Sequence, residues 1–338
     1  MKKFHITGSR VIKTGVAIFI TALLCELLNW PPVFAVITAI VTIEPTVSDS
    51  IKKGMVRFPA SAIGSAYAVL FISLFGDSPI TYTLSAVFTI ATCYRLKLHA
   101  GLLVATLTAV AMIEVIHSNY LISFFIRLGT TTIGLVVSTV VNMFVLPPDY
   151  TNDIVKNIQN IAGRTGIVIE KVFKDILEDK HERHANEQLL VDQLDKTIHQ
   201  TDTLIRFQKD ESKFHPLVGV EKYQFQHAQD QLIRLRLIHY HLDTLINTPL
   251  QTTSWSKEDR EIILKAITEL THSLQEPSSY DQLTHQRQLN FITEILWDDD
   301  GEITKKNKAH PTNFSPELII LYELVNIYNL VDKFYKEY

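Results

Sequence analysis

Six apolar stretches fill the first 147 positions of this 338-residue chain. A bilayer core is about 30 Å thick, and a helix that crosses it needs about 20 apolar residues. The stretches run over about 11–30, 31–44, 56–75, 79–94, 98–116 and 121–146, with ends placed to within two to four residues. They specify an all-α fold: a six-helix transmembrane bundle over residues 1–147, then a cytosolic all-helical domain over residues 148–338. The lipid bilayer is the first partner this implies.

Charge divides at the same place. Residues 1–150 hold ten of the 32 Lys+Arg and six of the 36 Asp+Glu, leaving 22 and 30 for the rest of the chain. A soluble enzyme seldom splits its charge this way. The two cysteines, Cys25 and Cys93, lie inside apolar runs and read as small buried hydrophobes, not as a disulfide. The first run leads into Trp30-Pro31-Pro32 without a small-residue cleavage site, so it is expected to stay as an anchor.

The second stretch decides the topology. Its length gives about 21 Å of helix, short of the core thickness, so a re-entrant piece is the alternative to a crossing. If it crosses, Lys2, Lys3, Arg10, Lys13, Lys52, Lys53, Arg57, Arg95 and Lys97 all fall on one side, and the turns around Pro31, Asp77 and Asn119 carry no Lys or Arg. Cytosolic loops carry the Lys/Arg excess. The pattern therefore gives six crossings with both termini in the cytosol of a bacterial plasma membrane. Neighbouring helices or a thinned bilayer must cover the short segment.

Small residues recur at four-residue spacing in Ala60, Gly64 and Ala68, beside Ser61 and Ser65, and again in Thr130, Gly134 and Ser138. Such faces let helices approach closely, within one subunit or between two. Arg127 is the one Lys/Arg more than a turn inside a span, about 9 Å along its helix from the outer end. A charge there must snorkel, find a partner or line a wet cavity. Glu26 and Glu114, near the outer ends of the first and fifth stretches, are its candidate ion-pair partners. The other reading makes Arg127, with Glu114 and Glu26, part of an anion pathway. Glu44 sits beside Pro45 at the end of the second stretch, unfavourably placed against the helix dipole. Lys52, Lys53 and Arg57 are close enough in sequence to balance it.

The run Thr42-Ile43-Glu44-Pro45-Thr46, followed by Lys53-Gly54, Arg57 and Gly64, resembles the aromatic acid exporter family, related to fusaric acid resistance proteins. Within it, the chain resembles the short Gram-positive branch with one membrane half and a helical C-terminal domain. That family has a polar residue and Pro-Thr after its short second helix, then Lys-Gly, then Arg-x-x-Gly-Thr-x-x-Gly. Glu44, Pro45, Thr46, Lys53, Gly54, Arg57 and Gly64 match, while Ala60 and Ser61 replace the Gly-Thr pair. The resemblance implies export of small organic or aromatic acids driven by an ion gradient. It also implies a likeness to plant malate-type anion channels, which are dimers with six spans and a cytosolic helical domain. A single six-helix half is a thin wall for a pathway, so a homodimer is expected.

After Pro147-Pro148, Ile154, Ile158, Ile161, Val168, Val172, Phe173 and Ile176 keep one apolar helical face. Further helices are expected over about 183–211, 217–247, 257–275, 281–297 and 315–337, broken at Pro216, Pro249, Pro277 and the acidic turn at 298–302. Ser256 and Ser315 read as N-caps. His181/His184 and His239/His241 lack metal-ligand spacing, and the acidic turn lacks that of a calcium loop. Neither a metal, nor a cofactor, nor a catalytic motif is indicated, and the net acidity argues against nucleic acid. The alternative to transport is a membrane-anchored interaction or regulatory protein whose cytosolic helices do the work.

Overall fold

The structure, a computed structural model, describes residues 6–115, 119–178, 184–248, 250, 253–298 and 315–336. Lys2, Lys3, His181, Pro249 and most of the acidic turn at 298–302 lie outside the described residues. Among the described residues there is no strand, and the fold is all-α. The chain forms two compact units, one running to Asp149 and taking in Phe207–Pro216, the other made of Tyr150–Arg206 and the residues from Leu217 onward.

The first unit contains α1 (Ile6–Leu27), α2 (Val33–Thr42), α3 (Val47–Phe75), α4 (Pro79–Arg95), a 3-10 turn at His99–Gly101, α5 (Leu102–Val115) and α6 (Tyr120–Phe144). α3 packs against α4, α5 and α6, and α2 packs against α1 and α6. Among the described residues, two helices, α3 and α6, are long and apolar enough to cross a membrane, against the six crossings expected from the sequence; α2 and the 99–115 segment are apolar but shorter. α2 has ten residues, about 15 Å of helix, shorter than its sequence suggested.

α3 differs from expectation at its start. It begins at Val47, nine residues before the expected boundary, so Lys52 and Lys53 lie on the helix and not in a turn, and Arg57 lies well inside it. Thr46 makes this possible: its hydroxyl accepts the Asp49 N–H at 3.0 Å and caps the helix. Pro59 lies inside the helix, which continues to Phe75.

Both small-residue faces are used for packing within the chain. A Cβ on Gly64 would sit 2.3 Å from the Ala105 carbonyl oxygen, and one on Gly134 would sit 2.4 Å from that of Ala35. Glycine is therefore what lets α3 meet α5, and α6 meet α2, at backbone contact. Between small apolar clusters the interior carries hydroxyls, among them Thr38, Thr42, Ser65 and Ser138. These four donate to carbonyls four residues back on their own helices, at 2.6 to 2.9 Å. Outward, Phe19, Leu103, Leu121, Phe125 and Phe144 are exposed.

The second unit contains α7 (Thr151–Leu177), the first part of α8 (His184–Glu211), α9 (Gly219–Asn247), α10 (Lys257–Gln275), α11 (Gln282–Asp298) and α12 (Pro316–Tyr335). α7 lies against α9 and α10, α9 against α12, and α12 against α11. The seven apolar α7 positions named above are all buried. Ser256 forms a capping box with Asp259, and the Ser315 hydroxyl accepts the Leu318 N–H with Pro316 at the first helical position. His239 and His241 face different partners, the Val191 carbonyl and Glu323.

His285 gives this unit a pH dependence. Its ring is buried, with Nε2 2.9 Å from the Tyr328 carbonyl oxygen. Burial, outweighing that contact, holds the imidazole below its ordinary value of about 6.5. Because the folded value is depressed, the unfolded chain takes up the proton first as pH falls. The stability that neutral His285 confers is therefore present above about pH 6.5 and is lost as pH drops from there toward the folded value. Amide exchange in α11 and α12, corrected for intrinsic rates, should accelerate between pH 7.5 and 5.5. His285→Gln should remove that dependence; an unchanged profile in the variant would assign it elsewhere.

Candidate functional site

Arg127 belongs to the buried face of α6, which continues through Thr130, Thr131, Gly134, Val137, Ser138 and Val141. Its side chain is 3% exposed. Nη2 donates to the Thr108 hydroxyl of α5, and the guanidinium lies 4.2 Å from the centre of the Phe34 ring of α2. The close approach of α2 and α6 at Gly134 brings Phe34 within reach, since Gly134 and Arg127 share a helix face. Ser61 of α3 completes the surroundings, 3.2 Å from Thr131 and 3.4 Å from Thr108, hydroxyl to hydroxyl.

The guanidinium is under-satisfied. Nε and Nη1 have no hydrogen-bond partner among the described residues. Glu26 and Glu114 are both exposed, and neither pairs with Arg127 among the described residues. The ion pair considered from the sequence is therefore not formed. A buried cation with open donors costs several kcal/mol relative to one that is paired, on the order of 3.

A second polar cluster surrounds the connection between α2 and α3. Glu44 accepts from Arg57 Nη2 at 2.7 Å and from Lys53 Nζ at 2.8 Å. Lys52, the third cation considered for Glu44, reaches Asp210 instead, at 4.0 Å. Arg57 Nε donates to the Ala100 carbonyl at 3.3 Å. A Cβ on Gly101 would lie 2.5 Å from the Ala60 Cβ, so this glycine lets the 99–101 turn press onto α3. Gly54 carries no comparable constraint, since a Cβ there would lie 3.6 Å from Leu135 Cδ2, an ordinary contact.

The sequence reading misses Asn142, Lys13 and Glu211 as members of this cluster. Asn142 of α6 donates to the Glu44 carbonyl at 3.1 Å and to the Ser50 hydroxyl at 2.9 Å. Lys13 of α1, 4% exposed, donates to Asn142 Oδ1 at 2.8 Å. Glu211, fully buried, accepts the Val47 N–H at 3.1 Å and lies 2.8 Å from His215 Nδ1. In the sequence Lys13 reads as one of the cytosolic loop charges, and nothing in linear spacing links position 211 to position 47.

The fold and its two polar clusters define an all-α protein with an apolar, helix-packed unit enclosing buried cations. Residues 5–145 match the model of aromatic acid exporter family member 1. Over 338 residues the chain is 47% identical to a UPF0421 protein of Oceanobacillus iheyensis, covering 99% of this chain and 97% of that one. It is 40% identical over 335 residues to a UPF0421 protein of Bacillus cereus, covering 98% and 94%. A UPF0421 protein of Staphylococcus saprophyticus is 36% identical over 329 residues, covering 97% and 96%. The chain belongs to the UPF0421 protein family.

Proposed function

We propose that this protein is a transporter, not an enzyme, exporting small organic and aromatic acids across a bacterial plasma membrane as a homodimer. The observation that carries the reading is Arg127, buried with two open donor nitrogens and no carboxylate partner among the described residues. An anion that meets Arg127 gains those bonds in a low-dielectric site. The Phe34 ring against the same guanidinium suits a substrate with an apolar or aromatic body. In this reading the exposed apolar side chains face lipid, and the Lys/Arg pattern of the sequence is the ground for six crossings with both termini and the helical domain from residue 148 in the cytosol.

The test is benzoate efflux from proteoliposomes containing the purified protein. Arg127→Ala should reduce flux at least tenfold, about 1.4 kcal/mol or more of lost anion binding. Arg127→Lys keeps the charge but not the planar fork and should fall between. Unchanged flux in a folded Arg127→Ala protein would remove the basis for the reading.

A further inference from the structure

The connection between α2 and α3 holds a carboxylate between two cations. Glu44 bonds Arg57 through one oxygen and Lys53 through the other, so the three side chains carry a net positive charge. Arg57 is 6% exposed, and its Nη1 has no hydrogen-bond partner among the described residues. Nη1 and Nη2 form the end of a guanidinium fork, which matches the two oxygens of one carboxylate. Glu44 uses half of that fork. The Lys53 side chain is 41% exposed and that of Arg57 7%, so the site is reachable from outside the bundle through Lys53.

The Glu44 backbone is held apart from its side chain. Its N–H donates to the Ser50 hydroxyl at 3.2 Å, and its carbonyl accepts from Asn142 at 3.1 Å. The carboxylate can leave its two cations by side-chain rotation while the turn stays fixed. One helical turn beyond Arg57, Ser61 contacts Thr108 and Thr131, and Thr108 receives the Arg127 guanidinium. Ser61, four residues from Arg57 on α3, thus contacts a hydroxyl that Arg127 bonds.

We propose that Arg57 and Lys53 form a binding site for the carboxylate group of a small organic anion, and that Glu44 occupies this site as an internal stand-in that the ligand displaces. An incoming carboxylate first meets the exposed Lys53, then takes the Arg57 fork as Glu44 turns away. That Arg127 is its next station rests on the transport reading; occupancy of the Arg57–Lys53 site does not.

Chemical rescue tests the proposal on the full-length protein in detergent. Glu44→Ala leaves the two cations without a counter-ion and should unfold at a lower temperature than wild type. Millimolar benzoate should raise its unfolding temperature by at least about twice the shift seen in wild type, because ligand that binds the folded state stabilises it. Benzamide, of the same shape and uncharged, should not. Adding Arg57→Gln should abolish the response. If Glu44→Ala yields no folded protein, Glu44→Gln preserves the side-chain volume and should show the same gain. A benzoate shift no larger than wild type in the folded variant, or one that survives Arg57→Gln, overturns the site. Rescue without benzoate flux in proteoliposomes supports the site and overturns transport; flux without rescue does the reverse.

Discussion

Gly64→Val is expected to abolish the folded protein. The Cβ alone would lie 2.3 Å from the Ala105 carbonyl oxygen and 3.1 Å from its carbon, both backbone atoms. No side chain can rotate to make room, so α3 and α5 must separate along their contact. α5 also supplies Thr108 to Arg127, so separation removes that contact as well. Overpacking in a tight core costs about 1–3 kcal/mol where side chains give way. Here the backbone itself must move, and the cost exceeds that range. Gly15 of α1 is the control, since nothing lies within 4 Å of its Cβ position. Fluorescence-detected size exclusion of detergent extracts should show a monodisperse peak for Gly15→Ala and none for Gly64→Val. A normal peak for Gly64→Val would mean that α3 and α5 are not held at backbone contact.

Glu211→Ala should carry the second largest penalty. Glu211 is fully buried and accepts the first N–H of α3, while Thr46 accepts the third. A carboxylate there satisfies a donor the helix cannot satisfy internally and complements the positive end of its dipole. It also pairs with His215 and lies close enough to act electrostatically on Lys13. Alanine leaves an N–H and a buried cation uncompensated at once, a loss of about 3 kcal/mol. For a domain of this size that lowers the unfolding temperature by roughly 6–12 °C. Glu211→Gln keeps an acceptor for Val47 and should fall between. Equal stability of all three proteins would show that the α3 N-terminus is satisfied without residue 211.

Periodicity and punctuation make much of the helical plan legible. The seven apolar α7 positions, the Ser256 and Ser315 caps and the break after Phe144 all follow from local rules that act within one or two turns. The start of α3 does not follow, because Lys52, Lys53 and Arg57 resemble loop residues until their partners are known. Glu44 is nearby in the chain and is legible as one such partner; Asn142, Lys13 and Glu211 are distant from the motif and are not.

The sequence by itself determined that the chain is all-helical, that its apolar portion ends near Pro147, and that Arg127 and the Glu44–Arg57 motif are its unusual charges. Those facts rest on interactions between residues a few positions apart. Only the tertiary structure decided that Arg127 faces Thr108 and Phe34 and not a carboxylate, and that residue 211 closes the helix that begins at residue 47. Such contacts depend on how closely helices approach, and that distance is set by glycines meeting carbonyls on helices distant in the chain.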